Sequence, residues 1–128
     1  LYVDDHCSAV YSILLAGKIG ETYNIGGENE WENIHLVNVL CEKIARKLGK
    51  DKSYYKKLIT FVTDRPGHDR RYAINCDKIK NELKWKQSVD FDQGLDLTID
   101  WYLNHMDWVQ HIKSGAYQNW IQENYRGR

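Results

Sequence analysis

Six apolar residues between positions 36 and 48 keep to one side of a single helix. Leu36, Val37, Leu40, Cys41, Ile44 and Leu48 recur at the three- and four-residue steps of a 3.6-residue turn. Asn33 stands where an N-cap belongs, and Gly49 stands where a helix leaves by a left-handed residue. The same spacing predicts four further helices. Ala9, Val10, Ile13 and Leu14 follow a cap at Asp4 or Asp5 and stop at Gly17 and Gly20. Ile79 and Leu83 face inward after a cap at Asn75, with Trp85 beyond them. Phe91, Leu95, Ile99, Tyr102 and Leu103 mark a third long helix, and Trp108, Val109 and Ile112 a shorter one.

Short strands are expected between these helices. Leu1-Tyr2-Val3 reads as the end of a strand running into a helix, which predicts that the chain is the carboxy-terminal part of something longer. "ETYNIGG" reads as a strand with Tyr23 and Ile25 on one side and Gly26-Gly27 as its turn. Leu58–Val62 and Arg71–Ile74 are two more candidates, and "KDKSYYKK" a charged loop. The aromatic tail "SGAYQNWIQENY" is expected to drape over the body. The architecture is therefore mixed and mostly helical, without the consecutive strand–helix units of a complete doubly wound sheet.

Composition narrows the function classes. Eighteen basic residues balance eighteen acidic ones, against the basic excess of a general nucleic-acid or membrane-surface binder. A chain of 128 residues suggests one domain with its own core. The three cysteines, at 7, 41 and 76, are odd in number and widely spaced, so reduced and mostly buried thiols are expected, with no disulfide framework or zinc site. No apolar run approaches the length of a membrane span and no signal peptide is visible, which points to the cytoplasm. G-x-G-x-x-G, Walker A and H-E-x-x-H patterns are absent, and no Tyr has a Lys four residues on. The residues alone show no catalytic apparatus.

One stretch does point to chemistry. "TDRPGHDRRYAI", residues 63–74, holds the only proline, followed at once by Gly67. Pro66 fixes its own φ and Gly67 can enter conformations closed to other residues, so the turn is stiff. Arg65 would leave such a place with little entropy to lose, and a guanidinium matches phosphate oxygens bidentately. His68 can donate a further hydrogen bond, and Asp64 can orient Arg65 or accept from a sugar hydroxyl. This predicts a preorganised site for a phosphorylated small molecule. The competing reading from composition is a solvated basic turn with local Asp–Arg pairs.

"LYVDDH", "GETYNIGGENE", "ITFVTDRPGHDRRYAI", "KIKNELKW", "GLDLTIDWYL" and "SGAYQNWI" appear in that order. Together they resemble the carboxy-terminal portion of the dTDP-glucose 4,6-dehydratase family, within the extended short-chain dehydrogenase/reductase superfamily. "YVDDH" and "YNIGG" are shared with sugar-nucleotide epimerases and decarboxylases, whereas "DRPGHDRRYAI" with "WYL" and "SGAYQ" is more specific. The resemblance implies an α/β family in which residues 1–128 are the mixed, mostly helical substrate-binding portion with short strands. The NAD-binding Rossmann domain and every catalytic residue would lie upstream of Leu1.

Carried over by motif, Asp64, Arg65, Pro66, Gly67 and His68 form the substrate turn, with Arg65 on the diphosphate. Asn33 contacts the same substrate, a role compatible with an N-cap. Tyr117 closes over the nucleotide, against the alternative of a core aromatic, and Arg70 and Arg71 remain supporting charges. The implied reaction turns dTDP-glucose into dTDP-4-keto-6-deoxyglucose plus water, a hydro-lyase reaction in which NAD takes a hydride from C4 and returns it at C6. The whole protein would be a homodimer, and this portion alone would be inactive. Two other readings stay open: an epimerase or decarboxylase of the same superfamily, and a non-catalytic interaction module.

Overall fold

A computed structural model of the chain describes residues 1–64, 66–68, 72–115 and 118. Among them run α1 (Val3–Ala16), α2 (Asn33–Lys47), a 3-10 turn (Tyr55–Leu58), α3 (Asp77–Leu83), α4 (Phe91–Asn104) and α5 (Met106–Lys113). Two compact units divide the chain, Leu1–Asp96 and Leu97–Arg128. No helix among the described residues is long and apolar enough to cross a membrane.

The core of the first unit forms where α1 meets α3. Ala9, Cys76, Ile79 and Trp85 are buried, with Ile13, Tyr23, Ile25 and Leu83 packed around them. Ile79 is fully buried, a contribution of about 1.5–3 kcal/mol from apolar area. Trp85 keeps its polar edge satisfied by donating Nε1–H to Ser8 Oγ at 2.9 Å. The 18–23 loop is tied to α3 by polar contacts. Lys78 reaches Glu21 at 2.6 Å and the Thr22 carbonyl at 2.9 Å, and the Tyr23 hydroxyl donates to Glu82 at 2.9 Å.

Two buried charges organise the rest of this unit. Asp5 is 3% exposed and accepts from Ser88 N–H (2.9 Å), Ser88 Oγ–H (2.7 Å) and Val89 N–H (3.0 Å). Burial pushes its carboxyl up, but the donors from Ser88 and Val89 outweigh that and hold it below the ordinary value. Lys43, on α2, is also buried and meets Asp92 and Asp96 of α4, each at 2.7 Å. Burial pulls its ammonium down, and hydrogen bonds from the two carboxylates more than reverse the effect. The 3-10 turn is held to α2 by Lys56–Glu42 at 2.6 Å.

In the second unit, Trp101 stacks on His105 with ring centroids 4.4 Å apart and meets Trp108 edge-on at 5.2 Å. The Trp101 carbonyl lies 2.6 Å from His105 Nδ1, at the break between α4 and α5.

The helices follow the apolar spacing, but two of the expected caps are corrected. Tyr2 precedes α1, so Asp4 and Asp5 lie inside its first turn, where negative charge favours the helix dipole. Asp5 is drawn inward to Ser88 and Val89 instead of capping. Glu32 precedes α2, and Asn33 is its first helical residue without a side-chain cap. Asn75 does act at the start of α3, its Oδ1 accepting from Asp77 N–H at 2.8 Å, although Cys76 is the boundary residue. Gly49 leaves α2 with φ +63°, Lys50 N–H bonding Ala45 O at 2.8 Å and Gly49 N–H bonding Arg46 O at 3.3 Å.

None of the expected strands forms among the described residues. Val3 is helical, Leu58 ends the 3-10 turn, and segments 21–27, 59–62 and 72–74 run without a ladder. A strand requires backbone pairing, which β-rich composition alone does not supply. Phe61 and Val62 remain largely exposed with no described segment paired beside them. The cysteines are also corrected. Cys76 is buried, but Cys41 is half-buried and Cys7 exposed, because Cys7 points away from the α1–α3 contact.

The buried carboxylate yields a test. Asp5→Asn should cost about 1.5–3 kcal/mol at pH 7, the value of hydrogen bonds to a charged group. The folded carboxyl lies below its ordinary 3.8. Its contribution is therefore complete above that value and is lost as pH falls through the lower folded one. Chemical denaturation at pH 7 and in acid should show the mutant and parent curves converging at low pH. A gap of constant size would contradict the assignment.

Candidate functional site

Among the described residues, the turn expected to carry chemistry is closed by its own side chains. Asp64 Oδ1 and His68 Nδ1 stand 2.6 Å apart across the loop. Gly67 takes φ +72°, and a Cβ there would meet nothing within 4 Å. The backbone conformation, rather than lack of space, therefore calls for glycine. His68 is partly buried and Asp64 largely exposed. With Nδ1 engaged by Asp64, Nε2 is the ring atom that can act beyond the turn. The His68 ring lies 6.4 Å from that of Tyr72.

Tyr72 begins the wall of a groove of about 340 Å³. Residues 72–77 form one side, and Gly27, Glu28, Asn29 and Glu30 form the other. The two sides meet because Gly26 has no side chain. A Cβ at 26 would overlap Ile74 Cγ2 and come within 3.0 Å of Cys76 Sγ. Asn24 Nδ2 donates to the Asn75 carbonyl at 3.3 Å and holds the approach in register. Glu28 pairs with Lys80 and holds its ammonium above the ordinary range, with a hydrogen bond as the main cause. Sequence reasoning took Gly26-Gly27 only as a turn. The signal for the groove was that glycine pair, but its partner segment lies almost fifty positions away and no local pattern names it.

Of the expected site residues, Asp64, Pro66, Gly67 and His68 share the turn. No hydrogen bond, ion pair or ring contact among the described residues joins Asn33 to the turn. The neighbours of Asn33 in sequence form an aromatic cluster instead, Trp31 stacking on Phe91 at 4.8 Å and meeting His35 at 5.0 Å. Arg65, Arg70, Arg71 and Tyr117 lie outside the described residues. No group of three or more His, Cys, Asp or Glu among the described residues could hold a metal ion.

The groove's volume falls within the range of small-molecule sites. Residues 1–98 match the family model described as GDP-mannose 4,6 dehydratase, and the chain belongs to that family. Over all 128 residues it is 53% identical to a dTDP-glucose 4,6-dehydratase of Escherichia coli, of which it covers 35%. Two solved structures are similar. One is a dTDP-glucose 4,6-dehydratase of Bacillus anthracis in complex with NAD, 49% identical with a TM-score of 0.68 over 84% of this chain and 32% of that one. The other is a dTDP-glucose 4,6-dehydratase of Streptomyces venezuelae with NAD and TYD bound, 37% identical with a TM-score of 0.69 over 82% of this chain and 30% of that one. The chain thus spans about a third of the length of the relatives it matches.

The close approach at Gly26 is testable. Gly26→Ala should destabilise the protein by about 1–3 kcal/mol, the usual result of overpacking. Ile74→Ala, which removes the overlapping Cγ2, should recover part of that loss in a double-mutant cycle read by denaturant titration. Strictly additive effects would show that the two positions do not press on each other.

Proposed function

We propose that residues 1–128 are the nucleotide-sugar-binding portion of a dTDP-glucose 4,6-dehydratase, a hydro-lyase that converts dTDP-glucose to dTDP-4-keto-6-deoxyglucose and water. The supporting observation is 53% identity to an enzyme of that name across every residue of the chain, the 63–68 turn included. In this reading the whole enzyme is a cytoplasmic homodimer, and the domain that holds NAD and the catalytic groups precedes Leu1.

This chain's part is to bind and orient. Arg65 pairs with the diphosphate, and each charge-assisted bond contributes about 1.5–3 kcal/mol. Asp64 fixes the His68 ring through Nδ1, which aims Nε2 at the same phosphates. Pro66 and Gly67 hold the corner rigid, so little entropy is lost on binding. Asn33 contacts the nucleotide sugar and Tyr117 closes over it. Holding the substrate in register accelerates the chemistry performed by groups elsewhere.

The residues in hand do not fit NAD. The glycine pair at 26–27 leads into residues 28–32, which are not helical, and α2 begins only at Asn33. No helix N-terminus therefore follows the glycines to receive a pyrophosphate. Lys80 is already paired with Glu28, which lines the groove.

In the intact protein, Arg65→Ala should weaken dTDP binding by roughly 1.5–3 kcal/mol by calorimetry, while GDP serves as the control for base preference. An unchanged Kd removes Arg65 from the site. The 128-residue chain alone should form no 4-keto product from dTDP-glucose. Turnover by it would place catalytic groups within these residues.

A further inference from the structure

Positive charge is concentrated in one part of a chain whose total is balanced. Residues 43–57 hold seven basic side chains and one acidic, Asp51. They run from the second half of α2 into the 3-10 turn. A cavity of about 470 Å³ opens here, lined by Lys43, Arg46, Lys50 and Lys52 together with Glu42 and Asp92. It shares no residue with the 63–68 turn or with the groove beside Gly27. Its two carboxylates are already engaged, Glu42 by Lys56 at 2.6 Å and Asp92 by Lys43 at 2.7 Å. Asp51 accepts from Ser53 N–H at 2.8 Å and from Ser53 Oγ–H at 2.6 Å. Arg46 is 68% exposed and reaches Asp96 only at 3.5 Å, a carboxylate that also meets Lys43 and Lys47. Lys50 and Lys52 form no ion pair among the described residues, and Lys50 Nζ lies 5.7 Å from the centre of the Tyr54 ring.

We propose that this cavity binds the di- or triphosphate of a small molecule, held by Lys50 and Lys52 with Arg46 turned toward it. It is a site separate from the 63–68 turn, and the inference uses none of the residues of the proposed function. Like charges gathered on a concave surface raise its potential, and an anion that enters neutralises them. The negative end of the α2 dipole is offset by Arg46 and Lys47 in the last turn, which leaves Lys50 and Lys52 as surplus charge. Each ammonium brings three donors and no acceptor, so phosphate oxygens satisfy it directly. A guanidinium prefers two phosphate oxygens in its fork to one distant carboxylate oxygen, so Arg46 gains by leaving Asp96. The volume is that of a small-molecule site, whereas a bilayer or a nucleic acid would meet a broad basic face.

The test titrates inorganic tripolyphosphate into the intact protein by calorimetry, with excess dTDP present to fill the 63–68 turn. The buffer holds about 0.15 M salt, so that diffuse surface attraction is screened beyond about 8 Å. Saturable binding is the expected result. The double variant Lys50→Ala, Lys52→Ala should weaken it at least about tenfold, and Arg65→Ala should leave it unchanged. No saturable binding, an unchanged Kd in the double variant, or a loss caused by Arg65→Ala overturns the inference. Should the double variant fail to fold, the unmodified protein gives an independent reading. Tripolyphosphate should slow acetylation of Lys50 and Lys52 by N-hydroxysuccinimidyl acetate, read by mass spectrometry, and spare the exposed Lys84. Equal slowing at all three lysines, or none, overturns the inference. The lysine readings do not depend on the proposed function, so a protein that fails to bind dTDP counts against that function alone.

Discussion

The absence of a side chain at residue 26 is the constraint on which the candidate site depends. Segment 72–76 lies against Gly26 so closely that a methyl group there would collide with Ile74 and crowd Cys76. That approach does two things at once. It delivers the Cys76 thiol into the small core beside Ile79 and Trp85. It also holds residues 74–76, part of one wall of the groove, against the glycine pair. Interiors pack at near-crystalline density, and a single methyl at such a place propagates. Core and groove meet at this contact.

Charges inside the first unit do the work that a larger core would do elsewhere. Few side chains are fully buried, and Asp5 and Lys43 are buried beside them. They are not equivalent. Asp5 is enclosed and takes three donors from the 88–89 loop, so nothing replaces it if it is lost. Lys43 meets two carboxylates, one of which, Asp92, is 74% exposed and can turn to water. A buried ion pair is weak evidence for stability, whereas an enclosed carboxylate with every donor satisfied stabilises and specifies one geometry. The 88–89 loop precedes α4, so Asp5 of α1 fixes where α4 begins.

Helices were readable from spacing, and the long-range contacts were not. The existence of α2, the exit at Gly49, the inward Ile79 and Leu83, and the division of the last helices near residue 105 follow from local pattern, whereas the buried residues of α2 are Lys43 and Ala45 rather than the Leu36–Leu48 stripe. Asp5 looked like a cap because a carboxylate at a helix start usually is one. Its true partners are 83 and 84 residues away. The strands failed because β-branched and aromatic runs such as Ile59–Val62 signal a surface waiting to be paired, not the pairing itself. At the site, the stiffness of the Pro66–Gly67 corner was legible in two letters. The Asp64–His68 bond, at an interval of four, was within reach of the sequence, but its existence needed the turn's curvature.

In the proposed function, the Pro66–Gly67 corner carries His68 and Arg65 as the groups that meet a sugar nucleotide. A crystal structure of the intact protein with dTDP bound tests this most directly. The account predicts diphosphate oxygens at hydrogen-bond distance, about 3 Å, from the Arg65 guanidinium, with His68 Nε2 facing the same oxygens and Nδ1 still on Asp64. A diphosphate seated elsewhere, with the 64–68 turn facing only solvent, would contradict it.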